Sequence, residues 1–208
     1  MNTIIIVVIA LVGAYLIGSL PSAYVVARLR KGVDIRQVGS RNMGAMNVFY
    51  QVGFGWGLLV LALDIGKGAA AVAFARWLDA ALVVELLAGA AAVTGHSFSV
   101  FLKFRGGRGG AACIGIFAFL MPWGIPVYLG LFGLGLLLTR YPTLSYSAAF
   151  IGFPFLAWLV YHSGELVIYT IALLLLPGLK YLPRVLEMRT TGGSWRHVFL
   201  RRGLKDRL

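Results

Sequence analysis

A chain of 208 residues in which 60% are hydrophobic and only 12% are charged is too apolar for a soluble domain, whose charged share is about a quarter. Its mean hydropathy of +0.86 and its 27 glycines point to an integral membrane protein built from closely packed helices, and exclude a nucleic-acid-binding module despite the net charge of +12. One cysteine, Cys113, permits no internal disulfide, and its apolar setting reads as packing.

The first apolar run, residues 4 to 26, has neither a basic leader nor a small-residue cleavage site before Arg28, so it is expected to stay as a membrane span. Further runs near 54 to 76, 80 to 101, 143 to 161 and 165 to 182 each approach the ~20 residues a crossing helix needs. The stretch from 110 to 139 is ambiguous. As a single crossing it would place Arg140 and the basic C-terminus outside; two short crossings turned at Met121-Pro122-Trp123-Gly124 keep them inside.

Charge decides between these. Arg28, Arg30, Lys31, Arg36 and Arg41 form one cluster, Lys103, Arg105 and Arg108 a second, Arg140 stands alone, and the last cluster starts at Lys180. The positive-inside rule makes all four regions cytoplasmic and the N-terminus external. The expectation is an all-α polytopic bundle of about seven transmembrane helices, with five plus a re-entrant hairpin as the alternative. Residues 1–188 would form a single membrane domain and 189–208 a basic cytoplasmic tail.

Two loops fall on the expected cytoplasmic face. In the second, Phe104-Arg105-Gly106-Gly107-Arg108-Gly109-Gly110, glycines expose backbone N–H groups and arginines supply charge, which together can cradle phosphate. It lacks the strand and the Gly-Lys-Ser/Thr ending of a nucleotide-binding P-loop. In the first loop, Ser40, Asn42 and Asn47 offer neutral donors beside Arg41, and Gly39 and Gly44 allow close backbone approach. Two such loops suit a phosphorylated polyol.

Within the second span, Asp64 and Lys67 lie three residues apart and share a helix face. Each charge at that depth costs about 2.5–3.5 kcal/mol, so they either pair to fix packing or place Lys67 at the rim of a polar cavity, adding positive potential to a phosphate site. His96 closes the third span just before the glycine loop, where it can donate to an anion or move a proton. His162 and His197 fall on the outer side and in the tail.

Three stretches resemble the bacterial acyl-phosphate:glycerol-3-phosphate acyltransferase family. They are Gly18-Ser19-Leu20-Pro21-Ser22-Ala23-Tyr24 followed by Gly32-Val33-Asp34-Ile35-Arg36; Gly39-Ser40-Arg41-Asn42-Met43-Gly44-Ala45-Met46-Asn47; and Gly95-His96-Ser97-Phe98 running into Lys103-Phe104-Arg105-Gly106-Gly107-Arg108-Gly109. Asp64-Ile65-Gly66-Lys67-Gly68 is similar to the family's second-span signature, and the match holds over about residues 12 to 115. The resemblance implies a multi-pass enzyme of the bacterial plasma membrane. Its active site would face the cytoplasm and move a fatty acyl group from acyl phosphate to the 1-hydroxyl of sn-glycerol 3-phosphate, giving lysophosphatidic acid.

His96, Ser40 and Asn47 are then the expected catalytic residues. Gly39, Arg41, Asn42, Gly44, Lys67, Lys103, Arg105, Gly106, Gly107, Arg108 and Gly109 are expected to bind substrate phosphate. No metal or cofactor is called for, because an acyl phosphate is already activated and its leaving group needs only cations to neutralise it. Membrane lipid and the soluble enzyme that makes acyl phosphate are the expected partners.

The chain departs from the family at three places: Tyr50 stands where an arginine is usual, Arg108 where a lysine is, and Gly178 and Tyr181 where a histidine and an asparagine are. Lys180 or Arg184 could compensate for the last. No histidine is followed five positions on by Asp (Phe101, Val167 and Arg202 stand there), which excludes the chemistry of the other large class of glycerolipid acyltransferases. The competing readings are an anion transporter, against which the chain shows no repeat, and a catalytically altered homologue.

Overall fold

The computed structural model describes residues 2–192, and every regular element among them is helical. The chain divides into two compact units, residues 1–120 and 121–208.

The first unit begins with α1 (Thr3–Ser19), whose N-terminus is capped by the side chain of Asn2 accepting from Ile4 N–H. Leu20-Pro21 interrupts the run, and α2 (Ser22–Lys31) carries it to Gly32, a left-handed C-cap. The expected first span is therefore two helices broken at Pro21. A short α3 (Ala45–Gln51) follows the first loop; α4 (Phe54–Trp77) and α5 (Leu82–Ser97) form an apolar hairpin; a 3-10 turn (Val100–Leu102) leads into the glycine loop and α6 (Gly110–Leu120).

Glycine sets the helix spacing. A Cβ on Gly18 would run into the Ala92 carbonyl and one on Gly95 into the Tyr15 carbonyl, so α1 and α5 cross backbone to backbone. Gly68 on Ala112 and Gly115 on Ile65 do the same for α4 and α6. Ala10, Ala14, Ala71, Ala75, Ala88 and Ala92 fill the space where α1, α4 and α5 meet. Arg76 ends α4 with its guanidinium on the Glu85 carboxylate at 2.7 Å and over the Phe119 ring at 4.6 Å, tying the other ends of α4, α5 and α6.

The second unit contains α7 (Gly124–Thr139), α8 (Pro142–Ala149), α9 (Gly152–Leu159) and α10 (Gly164–Gly192). Tyr128, Phe150 and Phe153 pack their rings together, and Tyr141 shares a hydrogen bond with Tyr181 at 2.6 Å. The expected span at 143 to 161 is split at Phe150-Ile151. Pro154 has no N–H for the Phe150 carbonyl, which accepts from Phe153 N–H instead.

Residues 110 to 139 do break at Met121-Pro122-Trp123, as the sequence implied. Among the described residues, five helical stretches are long and apolar enough to cross a membrane, and α6 and α7 are shorter apolar helices. Lengths of 11 and 16 residues correspond to about 16 and 24 Å at 1.5 Å per residue. The last helix also differs from expectation: it runs ten residues past 182, through Pro177 and Pro183, into the stretch assigned to the tail. Residues 193–208 of that tail lie outside the described residues.

Candidate active site

The site residues belong to the first unit, where the loop between α2 and α3 meets the loop between α5 and α6. The first loop is held from within by one side chain. Asn47, on α3 and 3% exposed, donates from Nδ2 to the carbonyls of Ile35 at 2.9 Å and of Val38 and Asn42 at 3.0 Å. Its Oδ1 accepts from Ser40 N–H at 3.2 Å. Both ends of the amide are thus engaged by loop backbone, and Asn47 contributes the shape of the loop. Gly39, at φ +58°, passes so close to the Asn47 and Gln51 side chains that no Cβ fits. A Cβ on Gly44 would crowd Asn42 Nδ2 at 2.8 Å. With the interior so occupied, Ser40 and Arg41 are left exposed on the loop's outer face and Asn42 half-buried.

At the loop's entry Arg36 grips Asp34 with Nε at 3.0 Å and a terminal nitrogen at 2.7 Å, while Asp34 Oδ1 also accepts from Arg36 N–H. The hydrogen bonds from the Arg36 guanidinium hold the Asp34 carboxyl below the ordinary carboxylate range. Arg36 also reaches the Leu102 carbonyl at 3.4 Å, which links the first loop to the turn before the second.

The second loop folds back on the end of α5. Gly106 N–H donates to Ser97 O at 3.2 Å and Gly107 N–H to His96 O at 3.0 Å. A Cβ on Gly106 would strike the His96 carbonyl; one on Gly107 would overlap His96 Nε2 and the carbonyl of Met43. Gly107 is therefore the point at which the first loop, the second loop and the histidine ring meet, and only a residue without a side chain fits there. Gly109, at φ +91°, turns the chain into α6. Lys103 and Phe104 are both left-handed, and Lys103 and Arg105 are exposed beside this junction, with Arg108 half-buried.

Lys67 is placed differently from a cavity-rim cation. Its side chain is 4% exposed, with Nζ 2.8 Å from Asp64 Oδ1 and donating to Leu20 O at 2.9 Å, where α1 gives way to α2. It neutralises Asp64 and pins the helix break. Next to it Ser99 Oγ donates to Ser19 O at 2.6 Å, so the ends of α1 and α5 are joined at the same level. Asp64 also lies 3.9 Å from His96 Nδ1. Sequence spacing signals the Asp64 and Lys67 pair, but nothing in the sequence brings residue 64 to residue 96.

The variant positions have their own surroundings. Tyr50 packs edge-on against Phe49. In the second unit Tyr181 bonds to Tyr141, which also contacts Met188 sulfur at 3.3 Å; Gly178 has open space around it, and Arg184 pairs with Glu187 at 2.8 Å.

Residues 8–186 match the family model for glycerol-3-phosphate acyltransferase. The chain is 49% identical over 210 residues to glycerol-3-phosphate acyltransferase 2 of Dehalococcoides mccartyi (strain ATCC BAA-2266 / KCTC 15142 / 195), covering all of both chains. It is 44% identical to glycerol-3-phosphate acyltransferase of Endomicrobium trichonymphae, over 78% of this chain and 81% of that one. Its fold is similar, with TM-score 0.78 and 30% identity, to crystal structures of PlsY, an integral membrane glycerol 3-phosphate acyltransferase, in glycerol 3-phosphate and lysophosphatidic acid forms. These cover 90% of this chain and 94% and 93% of the respective PlsY chains. Helices of membrane-spanning length, two glycine loops closing on one histidine, and a match over nearly the whole chain lead to one assignment: this protein belongs to the glycerol-3-phosphate acyltransferase family of integral membrane enzymes.

Proposed function

We propose that this protein transfers a fatty acyl group from acyl phosphate to the 1-hydroxyl of sn-glycerol 3-phosphate, giving lysophosphatidic acid and phosphate. The observation that carries the reading is the junction at Gly107, where two loops rich in glycine and arginine converge on His96. Both substrates bear phosphate, and a pair of cationic loops can hold one each.

In this reading the loop cations Arg41, Lys103, Arg105 and Arg108 neutralise the two phosphates, and Gly106 and Gly107 tie the second loop to the end of α5 through their N–H groups so that its cations are held beside the junction. The hydroxyl oxygen of glycerol 3-phosphate bonds to the acyl carbonyl carbon, and the bond from that carbon to the phosphate oxygen breaks. Its electron pair leaves with phosphate, stabilised by the same cations. The hydroxyl proton passes either directly to a substrate phosphate or to His96 and from there to the departing phosphate. No acyl-enzyme is required, and alignment of the two bound substrates supplies much of the acceleration. Ser40 assists from the loop's outer face; Asn47 acts by keeping that face in register.

The site faces the cytoplasm of a bacterial plasma membrane crossed seven times, with the N-terminus outside, because the basic clusters that flank the loops belong on that side. A soluble enzyme that makes acyl phosphate would deliver the donor there. The test is an assay of purified protein in lipid vesicles with acyl phosphate and glycerol 3-phosphate. Formation of lysophosphatidic acid that falls at least about tenfold in Arg108→Ala supports the reading, since a charged hydrogen bond to phosphate is worth about 1.5–3 kcal/mol. Absence of product from folded wild-type protein overturns it.

A further inference from the structure

We infer, independently of the acyltransferase reading, that Arg30 stacked on Trp56 heads a binding site for an anionic phospholipid at the membrane surface. α2 closes a helical stretch of 29 residues, Thr3–Lys31, about 43 Å at 1.5 Å per residue, so its last turn reaches beyond the ~30 Å hydrocarbon core. α4 runs back beside it. Lys67 meets the Leu20 carbonyl at one level; Arg30 comes ten residues after Leu20 and Trp56 eleven before Lys67, and there the Arg30 guanidinium lies over the Trp56 ring, 3.8 Å from its centroid. Trp56 therefore sits in the first turn of a membrane-length helix, at the boundary that tryptophan favours.

Arg30 is set apart from the cations around it. It falls three residues after Ala27 and four after Val26, on the stripe that α2 buries in the cluster against which Trp56 packs, yet it is exposed. Arg28 donates to Gly32 O at 2.6 Å, Lys31 donates to Gln51 O at 2.6 Å, and Arg36 grips Asp34 at 2.7 Å. Among the described residues Arg30 has the Trp56 ring and no hydrogen bond or ion pair. A guanidinium on an aromatic face keeps the N–H groups at its edge, and their planar fork fits two oxygens of one phosphate. Lys31, the next residue, adds positive charge, with two of its three ammonium hydrogens still to give.

The surroundings select a lipid over a free phosphate. Leu29 beside Arg30, and Phe54, Leu58 and Leu59 around Trp56, are all exposed, so the cations border an apolar surface that acyl chains can cover and a soluble anion cannot. A phosphatidylcholine headgroup brings its own cation toward Arg30 and Lys31, whereas phosphatidylglycerol brings only negative charge. The site is also joined to the first loop: Lys31 holds the Gln51 carbonyl, and the Gln51 side chain occupies the space that a Cβ on Gly39 would need. A lipid phosphate here braces the end of α3, on which that loop rests.

The experiment reads Trp56 fluorescence in full-length protein carrying Trp77→Phe, Trp123→Phe, Trp158→Phe and Trp195→Phe, in phosphatidylcholine vesicles with an increasing share of brominated lipid. Brominated phosphatidylglycerol should half-quench Trp56 at a mole fraction at least about fivefold below that needed with brominated phosphatidylcholine. Arg30→Gln should bring the two lipids within about twofold, and so should Arg30→Lys, which keeps the charge and loses the stacked planar fork. Equal quenching by both lipids in the parent, or a preference that Arg30→Lys retains, would leave only the diffuse attraction of a basic surface and overturn the inference. Release of the brominated lipid by millimolar inorganic phosphate at constant ionic strength would make the occupant a soluble anion and overturn it too. Should the single-tryptophan protein fail to fold, melting of the unmodified chain in neutral detergent replaces it: phosphatidylglycerol should raise the melting temperature more than phosphatidylcholine does, and Arg30→Lys should remove the difference. Neither readout needs enzymatic turnover, so an inactive protein would count against the acyltransferase reading and leave this one standing.

Discussion

The imidazole of His96 and the backbone of Gly107 touch directly: Gly107 N–H donates to the His96 carbonyl at 3.0 Å, and a Cβ at position 107 would coincide with His96 Nε2. The histidine and the loop therefore share one position, set by the helix end on one side and by Met43 of the first loop on the other. A change at Gly107 reaches all three.

Gly107→Ala should lower activity by about tenfold or more, because the added methyl must displace either the ring or the Met43 carbonyl, and overpacking of this kind costs about 1–3 kcal/mol. Gly66→Ala is the control: it lies in α4 with no atom within 4 Å of a new Cβ, and alanine favours a helix over glycine. Initial rates and thermal melting of both variants check this. Equal activity in the two would detach the loop from the reacting centre.

Asn47→Asp replaces the amide nitrogen, which faces three carbonyls, with an oxygen that has no proton to give them. Unsatisfied buried acceptors cost about 1–3 kcal/mol, so the first loop should loosen and KM for glycerol 3-phosphate should rise with a fall in melting temperature. Asn47→Ala should behave similarly. A variant that loses kcat with unchanged KM and unchanged melting would instead place Asn47 among the groups that touch the reacting atoms.

Much of this candidate site is legible in the sequence, because glycine and arginine cluster in two short loops, His96 closes the helix before the second, and the spacing of apolar runs puts both loops at span ends. The helix break at Pro122 is legible for the same local reason. What the sequence hides is long-range. Residues 64 and 96 meet because α4 and α5 pack together with α1 through Ala10, Ala14, Ala71, Ala75, Ala88 and Ala92, which lie far apart in the chain. The role of Asn47 is hidden differently: as an asparagine in a polar loop it reads as a ligand group, whereas burial turns its amide inward. Hydropathy is continuous across the break at Phe150-Ile151, and Pro154 alone marks it in the sequence. The last helix runs past 182 because Pro183 interrupts hydrogen bonding without ending the helical path.

The Asp34–Arg36 clamp gives a pH dependence with a definite sign. Hydrogen bonds from Arg36 lower the folded-state pKa of Asp34, so the clamp's contribution is present above the unfolded value and is lost as pH falls through the folded one. The stability difference between wild type and Asp34→Asn should be constant from about pH 5 to 8 and shrink only below about pH 4, the ordinary aspartate range. Melting curves across that interval test it. A difference that shrinks between pH 6 and 5 would mean that another group controls the loop entry.

Seven crossings with an external N-terminus require that residues 121–123 and the α9–α10 connection emerge on the outer side and the first loop on the inner. Cysteine labelling reads this directly in a Cys113→Ala background, Cys113 being buried. Gly124 is a poor reporter, since a side chain there would enter the Phe153 ring; Trp123, 72% exposed, and Gly164, with open space around it, are better. Trp123→Cys and Gly164→Cys should both react with an impermeant reagent on intact cells. Gln37→Cys, exposed in the first loop, should react only after permeabilisation. At about 16 Å, α6 is well short of the ~30 Å hydrocarbon core, so it can cross only where the bilayer thins or neighbouring loops extend its path. Labelling at 164 with protection at 123 would show that α6 and α7 enter and leave on the same face, and would replace seven crossings with five and a re-entrant pair.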